Sequence, residues 1–202
     1  MASNAAKRKR GTAKGGSAAS PKKKKKSTKG KRRGGVLSVL EGWWQVNVKE
    51  SDSPEKYLKF MGLPDIAISA GQKAHTEFGT YIGISIKASG RHIVFERHSR
   101  LINGRIDKFK FGERVTTTLK KLGEKNMQVT AGGNGEIVTT STVPTIGGEV
   151  EVTDVRMIDP ENDNQMIQKI KCKNKKTGDE LDRNIFYMRT VKPNIPLQQM
   201  PK

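Results

Sequence analysis

Met166-Ile167-Gln168-Lys169-Ile170-Lys171-Cys172-Lys173 puts three lysines on one side of an extended chain and Ile170 and Cys172 on the other. Side chains of a strand point alternately to opposite faces, so this stretch reads as a strand with one wet and one buried face. The stretch before it behaves alike. In Glu149 to Met157, Val150, Val152 and Arg156 share a face, and a turn at Asp159 to Asn164 separates the two runs. Two strands of this kind joined by a short turn pair antiparallel, with one face solvated.

Working outward, the same pattern runs back to Gly79. Tyr81 to Ile86 turns at Ala88-Ser89-Gly90 into His92 to Arg97, and Asn103-Gly104, a strong hairpin signal, precedes Arg105 to Phe111. Further turns fall at Gly112-Glu113, Leu122-Gly123-Glu124, Gly132 to Gly135, Ile146-Gly147-Gly148 and Lys176 to Asp179. With Trp43 to Val48 as the first, the count is ten strands. Between the first two lies the helical part of the chain. Asp52-Ser53-Pro54-Glu55 offers a polar cap, a proline suited to a helix start and an acid in the first turn. Tyr57, Phe60 and Met61 then recur at helical spacing, Gly62 ends the run, and a second short helix is expected from Asp65 towards Lys73. The expected fold is all-β: a ten-stranded antiparallel up-and-down barrel with a two-helix lid between strands 1 and 2. Closing the sheet removes its exposed edges, and ten strands leave room for an internal ligand.

Charge divides the chain. Residues 1–35 carry 14 Lys and Arg and no acid, whereas the remainder holds 25 basic and 20 acidic side chains, for a total of +19. With mainly Gly, Ser and Ala between the charges, residues 1–35 cannot bury enough apolar surface to offset the entropy of ordering, and they are read as a disordered arm. The barrel domain is placed at 36–191 and a proline-containing tail at 192–202. Cys172 is the one cysteine, which excludes an intramolecular disulfide and suits a reducing compartment. The N-terminal stretch has no apolar segment of a secretory signal, and no run is long enough to span a membrane as a helix.

Gly42-Trp43, Tyr57-Leu58-Lys59-Phe60-Met61-Gly62, Asp107 to Glu113 with Thr116-Thr117-Thr118, Thr153-Asp154-Val155-Arg156, and Asn184-Ile185-Phe186 in the last strand follow one another along the chain. In that order and spacing the chain resembles the fatty acid-binding and cellular retinoid-binding protein family. The resemblance covers about residues 41–190. It implies a carrier whose barrel holds a lipid or other small hydrophobic ligand. It also implies that an arginine in the eighth strand and an arginine and tyrosine two apart in the last strand hold a carboxylate. Arg156 matches the first. At the pair, Asn184 and Phe186 are expected, which resembles the retinol-binding branch. Asp154, on the same side of its strand, is expected to neutralise part of the charge on Arg156. A neutral or weakly polar lipid follows. Arg156 serves either as a ligand contact or as a structural ion pair with Asp154.

The chain shows no nucleophile motif, phosphate loop or metal-ligand set, since His75, His92 and His98 do not group with Cys172. A non-enzymatic, monomeric protein without cofactor or metal is expected. In the arm, Lys7, Arg8, Lys9 and Arg10, then Lys22, Lys23, Lys24, Lys25 and Lys26, with Lys31, Arg32 and Arg33 beyond, form clusters suited to an import receptor. The same charges suit nucleic acid or an anionic membrane surface. Residence in both nucleus and cytoplasm is expected. The alternative is a nucleic-acid or chromatin-associated protein whose barrel is a structural or protein-docking module.

Overall fold

The computed structural model describes residues 37–77, 79–87, 90–99 and 104–194. The basic arm and the chain beyond 194 fall outside these residues, as do parts of the turns expected at 88–90 and 103–104. Ten strands form: β1 (Gly42–Val46), β2 (Thr80–Lys87), β3 (His92–Ser99), β4 (Arg105–Lys110), β5 (Arg114–Leu119), β6 (Gly123–Ala131), β7 (Ile137–Thr145), β8 (Gly148–Asp159), β9 (Asn162–Asn174) and β10 (Glu180–Thr190). They make one antiparallel sheet in the order β4-β3-β2-β1-β10-β9-β8-β7-β6-β5. First and last strands are therefore neighbours, and the sheet curls into a nearly closed barrel. Among the described residues β4 and β5 share no ladder.

Helix α1 (Pro54–Phe60) and helix α2 (Asp65–Thr76) lie between β1 and β2. Ser53 caps α1 by accepting a 3.3 Å bond from the Glu55 amide, and Pro54 fills the first turn, where no donor is needed. The Glu55 carboxylate takes Lys59 at 2.6 Å on its own helix and Gln72 at 2.9 Å on α2, so one side chain ties the pair together. Gly62, at φ +70°, makes the reversal that an L side chain resists. Helix α2 runs past the expected Lys73 to Thr76 because Ala74 and His75 are buried there.

Strand β1 ends at Val46, short of the expected Val48, and the loop after it takes over as partner of β10. Asn47 donates to the Phe186 carbonyl at 2.7 Å, the Ser51 hydroxyl accepts from the Phe186 amide at 2.9 Å, and the Asp52 carboxylate accepts from the Asn184 amide at 2.6 Å. Backbone groups that would otherwise be orphaned are paired, and the lid is anchored where it begins.

The two tryptophans divide as strand alternation requires. Trp44 is fully buried and donates its indole N–H to the Leu40 carbonyl at 3.0 Å, in a 3-10 turn (Ser38–Leu40) that adds Leu37 and Leu40 to the core. Trp43 lies on the outer face against Gly83. A Cβ there would come within 2.8 Å of the ring, so the indole can lie flat only on a glycine.

Candidate functional site

The inward faces of the barrel do not meet across the middle. They leave a cavity of about 350 Å³, roofed by Tyr57 and Met61 of the lid region and walled by Ile82, Phe95, Phe109, Met127, Val143, Val152, Ile170 and Ile185. The volume lies in the range of sites for small organic ligands, which are lined mainly by apolar groups with a few placed polar ones. Here the polar groups come from seven strands: Thr80 and Tyr81 of β2, Arg97 of β3, Lys125 of β6, Thr139 and Ser141 of β7, Asp154 and Arg156 of β8, Gln168 of β9 and Tyr187 of β10.

Arg156 points inward, as expected, and is 5% exposed. Its guanidinium bonds Asp154 at 2.7 Å and lies 4.8 Å from the centre of the Phe95 ring. The Asp154 carboxylate also accepts from Gln168 at 2.8 Å, and Gln168 in turn accepts from the Tyr187 hydroxyl at 2.6 Å. A four-residue polar chain thus crosses β8, β9 and β10 inside the barrel. Arg156 Nε, the other Asp154 oxygen and the Thr139 hydroxyl are buried without a hydrogen-bond partner among the described residues. Burial raises the pKa of Tyr187, with the Asp154 charge adding to it, and keeps the hydroxyl a neutral donor. Tyr57 is pushed up to about 12, chiefly by burial.

The expected last-strand pair is corrected by one residue. Asn184 is exposed and Phe186 only half-buried, and neither lines the cavity; Ile185 and Tyr187 do. The register explains why. Asn184 sits opposite Lys169, a member of the wet face of β9, whereas Ile185 and Tyr187 sit opposite Gln168 and Met166, both buried. A slip of one residue exchanges the two faces of a strand. Strand β10 therefore turns Ile185 and Tyr187 into the cavity, and Asn184 and Phe186 away from it. Backbone groups of Asn184 and Phe186 hold the loop that leads to the lid.

Arg183, also inward on β10, reaches that loop as well. It donates to the Asp52 carbonyl at 3.3 and 3.4 Å and lies 5.6 Å from the Tyr57 ring centre. At the opposite side Asp107 is buried and held by Arg105 at 2.6 Å and Arg97 at 3.5 Å. Desolvation lowers the pKa of Arg97, with the charge of Arg156 next in effect. Arg97, Lys125, Gln168 and Tyr187 were missed as site residues from sequence. Strand parity alone would have placed them inward: Arg97 shares a face with Ile93 and Phe95, Lys125 with Met127 and Val129, Gln168 with Ile170 and Cys172, and Tyr187 with Ile185.

Cys172 is buried, and its thiol is pushed up to about 11, first by desolvation and then by Asp182 and Asp154. It stays a thiol and packs as a small apolar group. Among the described residues no group of His, Cys, Asp and Glu could hold a metal ion, and no helix is long and apolar enough to cross a membrane.

No family model and no curated protein sequence matches the chain. Solved structures do. The fatty acid-binding protein of Schistosoma mansoni, solved with arachidonic acid, is 16% identical at a TM-score of 0.59, over 77% of this chain and 99% of its own. A fatty acid-binding protein from brain tissue of Drosophila melanogaster is 14% identical at 0.53, over 72% and 95%. Secretory abundant heat soluble protein 4 of Ramazzottius varieornatus is 12% identical at 0.57, over 74% and 94%. At such identities the likeness is one of fold, and it agrees with the strand order and the position of the helix pair. The chain has the lipid-binding barrel fold of the fatty acid-binding proteins.

Proposed function

We propose that this protein is a non-enzymatic carrier of a small hydrophobic ligand, a lipid or a molecule of retinoid type, held inside the barrel. One observation carries the reading: the inward faces of eight of the ten strands enclose an apolar-walled cavity of about 350 Å³ where a structural barrel would be filled by side chains. A module that served only for docking has no need of that space. The Arg156 end is unlike a carboxylate fork. Its guanidinium is already bonded to Asp154, and Ile185 offers no donor.

The basic arm supports a second role, in import to the nucleus and non-specific contact with polyanions, so that the carrier works in nucleus and cytoplasm alike. Lys7 to Arg10, Lys22 to Lys26 and Lys31 to Arg33 supply the charge.

The carrier reading is tested with an environment-sensitive fluorescent probe that partitions into the cavity. Binding saturates at one probe per chain, and long-chain lipids displace it competitively. Met127→Trp, which fills the cavity from β6, abolishes the signal while leaving the β-type circular dichroism in place. Probe binding that neither saturates nor responds to Met127→Trp contradicts the reading.

A further inference from the structure

Strands β4 and β5 are joined by the turn at Gly112 but share no ladder among the described residues, which leaves an open seam in the barrel. Three cations collect there. Arg97 of β3 and Arg105 of β4 are register partners on the inward faces of their strands. Like charges directly opposite one another on neighbouring strands repel. The single carboxylate of Asp107 is divided between them, at 3.5 Å from Arg97 and 2.6 Å from Arg105. The third cation comes from the other side. Asp107 and Thr117 each lie five residues from Gly112, which sets them at about the same height on β4 and β5. Thr117 is the register partner of Lys125. Lys125 lines the cavity with Arg97, is half-buried, and makes no hydrogen bond or ion pair among the described residues. Desolvation, with Arg97 and Arg105 next, pulls its pKa down, and Asp107 offsets this only in part.

Beyond the carrier reading, we infer that the seam between β4 and β5 is an anion site, and that it takes a phosphate monoester held by Arg97, Arg105 and Lys125. The charges of the cavity wall and of the inward faces of β4 and β5 select that group. Arg97, Arg105, Lys125 and Arg156 stand against Asp107 and Asp154, an excess of two positive charges. Asp154 is bonded to Arg156, so the excess sits at the seam. A phosphate monoester brings about −1.5 to −2, whereas one carboxylate or sulfate answers half of the excess. Two guanidinium groups and an ammonium suit three oxygens on one phosphorus. A dicarboxylate divides the same charge between two separate planar groups. Arg105 bonds Asp107 through Nε alone, which leaves both its terminal amino groups uncommitted among the described residues. The site is also reachable, since 53% of the Arg97 side chain and 66% of that of Arg105 are open to water. Charge of one sign in a cleft walled by protein concentrates the field on an arriving anion.

The test titrates phenyl phosphate into the full-length protein by calorimetry, at about pH 8, where the ester is a dianion, and at about 0.15 M salt. Wild type, Arg105→Gln, Lys125→Gln and Lys125→Arg are compared, and melting curves check that each variant folds. Residues 1–35 are the same in all of them, so a loss on substitution reports the seam. The wild type is expected to bind phenyl phosphate about tenfold tighter than phenyl sulfate or succinate. Arg105→Gln and Lys125→Gln each weaken phenyl phosphate by about ten- to hundredfold, the range for a hydrogen bond to a charged group, and Lys125→Arg restores it. Binding unchanged in both glutamine variants lies elsewhere on the chain and overturns the site. Equal binding of phenyl sulfate or succinate by the wild type overturns the phosphate assignment. A second arm identifies the source of the phosphate. Phenyl phosphate that binds with the cavity probe in place marks a soluble ester. A myristoyl lysophosphatidate that binds more tightly and expels the probe, with the gain lost in Arg105→Gln, marks a lipid head group; either result supports the site. Displacement of the probe by tetradecanol, which carries no phosphate, reports on the carrier reading separately.

Discussion

Arg156→Ala is expected to lower stability by about 3–5 kcal/mol, the cost of removing one partner from a buried ion pair. The guanidinium is 5% exposed, contacts both Asp154 and Phe95, and shields a carboxylate that has only Gln168 as a further donor. The substitution leaves Asp154 charged in a desolvated space and breaks the chain that runs on to Tyr187. For a domain of this size each kcal/mol shifts the melting temperature by about 2–4 °C, so thermal unfolding should show a drop on the order of 10 °C. Removing the charges together, as Asp154→Asn with Arg156→Met, should recover most of the loss, because a buried pair is often replaceable by neutral groups of similar volume. A shift of about a degree for Arg156→Ala would mean that the cavity solvates Asp154 freely and that the pair is no framework.

The largest change in any affinity is expected from salt acting on the arm. Each phosphate neutralised on duplex DNA contributes about −0.9 to the slope of log K against log salt. If about half of the 14 basic side chains of residues 1–35 engage together, the slope is about −6, and affinity falls by nearly four orders of magnitude between roughly 50 and 200 mM salt. Residues 36–202 alone, with 25 basic against 20 acidic side chains, should bind far more weakly. Sequence preference should be negligible, since clustered lysines pair with phosphates, which carry no sequence information. Titrations of the full chain at several salt concentrations decide the matter. A slope near zero removes the polyanion role.

The barrel was legible because β8 and β9 alternate cleanly. Lys169, Lys171 and Lys173 cannot all turn inward, so the faces of these strands are determined, and each turn signal passes the pattern to the next strand. Ser53-Pro54-Glu55 likewise marks the start of α1 through local chemistry. The site was less legible because its polar residues are scattered over seven strands and meet only through register. Arg156 and its pairing with Asp154 follow from a spacing of two on a single strand. The pair on β10 does not: matching Asn184 and Phe186 to the family's pair requires both to face inward, and the register turns them outward. Composition held the corrective signal: Asp182 and Asn184 share one parity, and Leu181, Ile185 and Tyr187 share the other. Lys125 could be placed inside by the same reasoning, but its lack of a partner is a property of the closed barrel. No single strand reveals that Asp107 and Asp154 are already engaged by Arg97, Arg105 and Arg156.

Native mass spectrometry of the full-length protein, purified from cells without delipidation and then incubated with a lipid mixture, tests the central claim most directly. The account predicts a population shifted by the mass of one small lipid, returning to the bare chain mass after organic extraction and depleted in Met127→Trp. Only the bare chain mass, before and after incubation, would contradict it and leave a barrel whose cavity holds no ligand.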